Sequence, residues 1–391
     1  MKSIAQVRAD MPALAGRVFL NAGSLCPTPT PVMEAYFSSY RDWHARGAGH
    51  PAHYEAMRDD VTRIAKVKLA SLLNCLPDEV TLTSNATEGV NIVAFGLDWR
   101  PGDEVIITDA EHPANSVVWI HNRERFGIKL RFLPAYHEPE TLLARLKDML
   151  NGKTRLVAVS HVLSATGRIL PVRDIIRLAH GNGSLVLVDG AHAVGQLPVD
   201  LRDLECDFYT TNGHKWLFGP AGTGLLFVRR ELQDQVRPSF VGDTGGKVLV
   251  NREDGSYTSP PDGRRYEYAT RNWPLYEALG LAVDYVNDIG IDKIRQRVSH
   301  LTEYFKAGLA GIPGLDMWSP AESEDSAGLV CFGFAGQSAP EVSAHLETRG
   351  IFLRHVTDHL LRASLGYFTL EEELDGVVME LKYYLGLLTE E

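Results

Sequence analysis

Between residues 101 and 189 short, continuous apolar runs alternate with longer stretches in which apolar residues recur every three or four positions. The runs within 102–109, 130–134, 154–162 and 185–189 predict strands, and 113–126, 139–150 and 172–180 predict helices between them. Strands covered on both faces are continuously apolar, so this alternation predicts an α/β architecture with a doubly wound, mainly parallel sheet. Upstream, 33–76 has helical spacing, with Met57, Val61, Ile64, Ala65 and Val67 or Leu69 on the apolar face. Thr81 to Asn91 reads as a strand end entering a helix, with Ser84, Asn85 and Thr87 as candidate N-caps and Glu88 in the first turn. Phe19 to Ser24 predicts a short strand running into a turn, and Gly242 to Pro260, rich in Gly, Asp and Ser, a long surface loop. From Leu281 onward come two helices, a strand at 328–334, a helix at 340–350, a strand at 352–356 and a last helix from Leu370 to Leu387. The expected division is an N-terminal segment 1–30 packing on the smaller unit, a large domain 31–280 and a small α+β domain 281–391.

Composition narrows the function classes. A chain of 391 residues with 45% hydrophobic content can bury a sizeable core. Its formal charge of -11 is spread without a basic block, which argues against nucleic acid as a partner. No apolar run reaches the ~20 residues of a membrane span, and the first residues lack the apolar core of a signal peptide. The expectation is a cytoplasmic protein that touches no membrane. Four cysteines without CxxC spacing suggest neither a zinc site nor a disulfide framework, and His44, His50 and His53 lack the spacing and companions of a metal site.

The candidate chemistry lies where the run from Leu185 stops at Asp189. In open α/β sheets ligands bind outside the carboxyl ends of the strands, so this carboxylate is placed to meet a cofactor. Lys215 follows twenty-six residues later, between His214 and Trp216. Pyridoxal phosphate chemistry needs a lysine to carry the cofactor and a carboxylate to keep its ring nitrogen protonated, and Lys215 and Asp189 are the candidates. The glycines of GPAGTG (Gly219, Gly222, Gly224) lack the lysine of a nucleotide loop and read as a close backbone turn behind Lys215.

VDGAHAVG at 188–195 together with TNGHKWLFGPAGTG at 211–224 resembles the aminotransferase class V group of pyridoxal phosphate enzymes, which includes cysteine desulfurases, cyst(e)ine C–S lyases and isopenicillin N epimerase. Matches run from about Phe19 to about Asp375. The resemblance implies fold type I, with a mainly parallel seven-stranded sheet in the large domain and a smaller α+β C-terminal domain, and a homodimer whose sites are completed by the partner subunit. It implies that Ala86 and Thr87, in SNATEGVN, serve the cofactor phosphate with His214, near Asn212. It also implies that His112, in EHPAN, stacks on the cofactor ring, that His192 lies near its phenolic oxygen, and that Thr270 reaches the partner's phosphate. Ser164 and Ala165 stand where many members have an asparagine. For an amino acid substrate the resemblance and the forked chemistry of arginine select Arg362, then Arg354, with Asn21 at the border of the site.

Retention of both Asp189 and Lys215 argues for an enzyme over a scaffold that kept the fold. Desulfurases carry sulfur on a mobile cysteine between the positions of Arg354 and Arg362, because a thiolate must attack the substrate sulfur. Residues 355–361 contain no cysteine, and Cys331 falls in an apolar strand. The expectation is therefore β-elimination from cysteine, cystine or a related sulfur amino acid. Epimerisation at Cα and transamination are the alternatives, because SHVLSATG and DGAHA also resemble the epimerase.

Overall fold

The computed structural model describes residues 2–46, 49–136, 138–243 and 248–388. Its large domain is built on a seven-stranded sheet. In chain order the strands are β1 (Val80–Thr83), β2 (Glu104–Thr108), β3 (Lys129–Leu133), β4 (Thr154–Ser160), β5 (Leu185–Asp189), β6 (Phe208–Asn212) and β7 (Gly224–Val228). In space they run β1-β7-β6-β5-β4-β2-β3, with β7 antiparallel to both neighbours and all other pairs parallel.

The apolar runs are continuous because successive residues feed two different cores. Val157, Val159, Val186 and Val188 join one cluster on one face of the sheet, while Leu156, Ala158 and Leu187 join the other. The helix Val172–Gly181 covers the first face with Val172, Ile175, Ile176 and Ala179, a helical stripe. β7 is an element that the glycine pattern hid. A Cβ at Gly224 would lie 2.6 Å from the Thr211 carbonyl oxygen and 2.8 Å from Asn85 Cα, so the strand can start there only without a side chain.

Three sequence expectations change. The stretch 33–76 forms two helices, Thr30–Ala45 and Pro51–Leu73, the second opening on a proline that suits a helix start. Its buried stripe is Val61, Ala65 and Leu69, whereas Ile64 and Val67 are 42% and 46% exposed. The loop after Gly242 contains a short antiparallel pair, Leu249–Val250 with Tyr257–Thr258; residues 244–247 of that loop lie outside the described residues. Position 281 falls inside the helix Trp273–Ile289, whose Val283, Val286 and Ile289 belong to the large-domain core. The chain leaves that helix at Gly290, with φ +96°, and the next helix begins at Ile291.

The small domain packs the helices Ile291–Ala310, Ala339–Thr348 and Glu371–Tyr384 on an antiparallel sheet. Its strands are β8 (Leu315–Met317), β9 (Leu329–Phe334), β10 (Arg354–His355) and β11 (Leu361–Ser364), in the order β8-β9-β11-β10. The N-terminal segment is shared between the two domains: Val18–Phe19 pairs in parallel with Ile351–Phe352 and Leu20 enters the small core, whereas Val7, Met11, Leu14, Ala22 and Cys26 belong to the large-domain core.

Candidate active site

Parallel strands ending side by side create the site. Ser160, the last residue of β4, is registered against Asp189, the last of β5, which is registered against Thr210 of β6. Beyond these ends a cleft is lined by Ala86, Thr87, His112, Asp189, His192, Asn212 and Lys215, together with Ser160 and Ser164. Seven of the residues singled out in the sequence thus stand together. Gly195 makes this possible, since it has φ +97° and a Cβ there would lie 2.4 Å from the Trp216 carbonyl. The turn after β5 can therefore press directly on the segment that carries Lys215.

Lys215 is 9% exposed and its Nζ lies 3.1 Å from His192 Nε2. The Trp216 indole, which can only donate, gives its N–H to His192 Nδ1 at 3.4 Å. A neutral His192 then carries its proton on Nε2, directed at Lys215, whose nitrogen can accept it once it is a free amine. Burial pushes Lys215 down to about 8, with Arg362 and Arg354 adding to the effect and Asp189 opposing it, so the free amine prevails only above that pH. His192 is held well below its ordinary value by burial and then by Lys215, and burial brings His112 and His214 down to about 4. All three imidazoles are therefore neutral at pH 7 and act as hydrogen-bonding groups. It follows that covalent uptake of pyridoxal phosphate by cofactor-free protein should quicken as pH rises through about 8, where the free amine forms. Stopped-flow absorbance checks this; a midpoint near that of an ordinary lysine would remove the burial effect.

Asp189 is 5% exposed and accepts the Ala191 N–H at 2.9 Å. Burial pushes its carboxyl above the ordinary range, against the Ala191 bond and the Lys215 charge. At the other side of the cleft the helix Ala86–Gly96 starts with Asn85 as its cap, taking the Glu88 N–H. The Ala86 N–H, expected as a free donor, is held by Asn212 Oδ1 at 2.8 Å, so the exposed Thr87 presents the open helix end. His112 both caps and faces the cleft: its Nδ1 accepts the Ala114 N–H at 3.1 Å.

Arg362, on β11, is 4% exposed and donates to the Ser164 carbonyl at 2.6 Å and to Ser24 Oγ at 3.1 Å. Ser24 in turn donates to Asn21 at 2.7 Å, which ties Asn21 to the arginine. Among the described residues no carboxylate pairs with Arg362, its Nε is buried without a partner, and burial pushes it down to about 10. Arg354 is registered opposite it on β10 but is exposed. Thr270 is exposed and does not line this chain's cleft. Glu111, Ser24 and Trp216 went unselected in the sequence; the Glu-His pair and the serine three residues after Asn21 were the available signals.

The thiols stand apart from this chemistry. Cys26 and Cys331 are buried, burial pushes both thiols up, and Cys331 reaches about 12. The link between β10 and β11 is a tight turn, with the Val356 N–H on the Leu360 carbonyl and Thr357 Oγ1 taking the N–H groups of His359 and Leu360. It lies flat on β9, for a Cβ at Gly333 would be 2.3 Å from the His359 carbonyl oxygen.

The donor set suits pyridoxal phosphate: a buried lysine amine of lowered basicity, a buried carboxylate, an open helix start and, at His214, a buried Nδ1 without a partner. The sequence model of the class-V aminotransferases matches residues 18–377. The chain belongs to the class-V aminotransferase family. Its sequence relatives include a protein named probable cysteine desulfurase from Methanothermobacter thermautotrophicus, 34% identical over 97% of this chain and 98% of that one. Another, named cysteine desulfurase, is from Cronobacter sakazakii, at 34% over 97% of both chains. Among solved structures, the cystine C–S lyase C-DES in complex with its product cysteine persulfide superposes with TM-score 0.88 at 32% identity, covering 95% of this chain and 98% of that one. The apo cysteine desulfurase of Thermococcus onnurineus NA1 gives 0.90 at 26%, covering 99% of each. This class-V aminotransferase therefore has the fold type I architecture, with its cleft at the carboxyl ends of the large sheet.

Proposed function

We propose that this pyridoxal 5′-phosphate-dependent enzyme is a C–S lyase that cleaves cysteine, cystine or a related sulfur amino acid by β-elimination. When bound, the cofactor supplies a sink for the electron pair left as the substrate Cα loses its proton. Lys215 would hold the cofactor and, as a free amine, would be the base that takes that proton. Asp189 would keep a proton on the ring nitrogen, His112 would pack on the ring, and His192 would serve its phenolic oxygen. Thr87, His214 and the helix start hold the phosphate, with Asn212 fixing the Ala86 turn. Arg362 takes the substrate α-carboxylate, with Asn21 holding Ser24 against it.

Arg354 contributes a second cation. Like charges directly opposite across two strands destabilise the pair, and neither arginine has a carboxylate partner among the described residues, so an anionic substrate satisfies both. A substrate with two carboxylates, such as cystine, fits this pair best. Thr270, exposed on this chain, completes the cleft of a second copy in a homodimer.

The observation that carries elimination over sulfur relay is the lack of a usable thiol: 355–361 has no cysteine, and Cys26 and Cys331 are buried in unreactive form. The names of the sequence relatives favour the second reading, a cysteine desulfurase. A product assay over a panel of L-amino acids separates them. We expect pyruvate and ammonia from cystine or cysteine, undiminished in Cys26→Ala and Cys331→Ala. Activity lost with either thiol restores the desulfurase, and inversion at Cα without pyruvate, or amino transfer to an oxo acid, replaces both readings.

A further inference from the structure

Glu111 carries a hydrogen-bond set that the chemistry above does not use. Its Oε1 accepts the Ser160 N–H at 2.9 Å and the Thr108 hydroxyl at 2.7 Å; its Oε2 accepts the Ser160 hydroxyl at 2.6 Å and the Asn115 amide at 2.8 Å. All three partners are buried, and each carboxylate lone pair faces a donor. The bonds join two separate pieces of backbone. The ladder between β2 and β4 has its last registered pair at Ile107 and Ala158, so the carboxylate takes the Ser160 N–H beyond the point where main-chain pairing stops. Ser160 is itself the registered neighbour of Asp189. On the other side, Glu111 and Asn115 bracket the short turn Pro113–Asn115, the turn His112 caps. Apart from that Ala114 N–H, the His112 ring has no hydrogen bond among the described residues. Its stance over the cleft is therefore set by where the turn sits.

We propose that Glu111 is a positioning residue: its carboxylate ties the turn bearing His112 to the strand end bearing Ser160 and Asp189, and so fixes the His112 ring against the cofactor. This rests on pyridoxal phosphate being the group that His112 faces, and not on which bond the enzyme breaks. Gln is the discriminating substitution. Its NH2 must meet either the Ser160 backbone N–H or the Asn115 NH2, neither of which can accept in place, since Asn115 Oδ1 is held by the Trp119 indole. Glu111→Gln thus keeps shape and volume while one donor opposes another.

The experiment is a cycle of Glu111→Gln, His112→Ala and the double variant, read by visible circular dichroism of the resting holoenzyme and by kcat and KM. A displaced ring should cost Glu111→Gln about 10- to 100-fold in kcat with KM nearly constant, and should weaken the cofactor's dichroism without loss of bound cofactor. In the His112→Ala background the same change should cost less than about twofold, because the ring it positions is gone. Thr108→Val, which deletes one of the four bonds, should move kcat and dichroism the same way by less, and carries the same cycle if Glu111→Gln fails to fold. Equal losses in both backgrounds, or an unchanged dichroism and kcat, overturn the proposal. A parent protein that binds no cofactor sinks the functional reading with it, whereas additive losses in a yellow, active enzyme sink this proposal alone.

Discussion

Lys215→Ala should abolish turnover, with a loss of at least about 10⁴-fold, and should remove the visible band of the covalently held cofactor. No other lysine lines the cleft among the described residues, so no second amine can take over the bond. The fold should survive, because the lost group is a buried amine whose one hydrogen bond among the described residues is to His192. Circular dichroism in the far ultraviolet separates loss of chemistry from loss of structure. A variant that still turns over at the parent rate would end the assignment of the lysine.

Asp189→Asn should keep bound cofactor yet lower kcat by about 10²- to 10⁴-fold, because an amide cannot hold a proton on the ring nitrogen. The substitution is nearly isosteric, and its carbonyl oxygen can still accept the Ala191 N–H that Asp189 takes at 2.9 Å. Stability should move the other way. Burial raises the Asp189 carboxyl in the folded protein, so its ionisation opposes folding at any pH above the unfolded-state value. The cofactor-free Asn variant should therefore melt no lower than the parent at neutral pH, and calorimetry of the two measures this. Near-normal rates would show that the carboxylate has another task.

The parts of this site legible in the sequence are those whose signal is local. The strand end at Asp189 shows because the apolar run stops there, whereas the run read over 154–162 passes the end of β4 at Ser160, and Lys215 shows because its motif neighbours are contiguous. What escaped depends on distant partners. Glu111 acquires its role from Ser160, and Ser24 from Arg362 on another domain. Arg354 and Arg362 look alike in sequence, but only the strand order of the small sheet makes one buried and the other exposed. β7 was hidden because the glycine that starts it reads as a turn, and the boundary near 281 because the helix Trp273–Ile289 continues the large core without a break. Periodicity placed Ile64 and Val67 on an apolar face, but tertiary packing selected the stripe through Val61, Ala65 and Leu69.

The tight turn between β10 and β11 bears on how such an enzyme could change chemistry over evolution. The last registered pair is His355 with Leu361, so the tip stays within about two residue rises, on the order of 7 Å, of the sheet edge. Asp358→Cys would create a thiol there without letting it travel, since the hydrogen bonds to Thr357 Oγ1 within the turn and the contact with Gly333 hold the tip in place. A courier for sulfur would need added chain. Lengthening a surface loop is thermodynamically cheap, at about 0.6 kcal/mol for each doubling. A sulfur courier on this scaffold would thus need an insertion as well as a cysteine, and conversion in the laboratory should begin by grafting length before grafting cysteine.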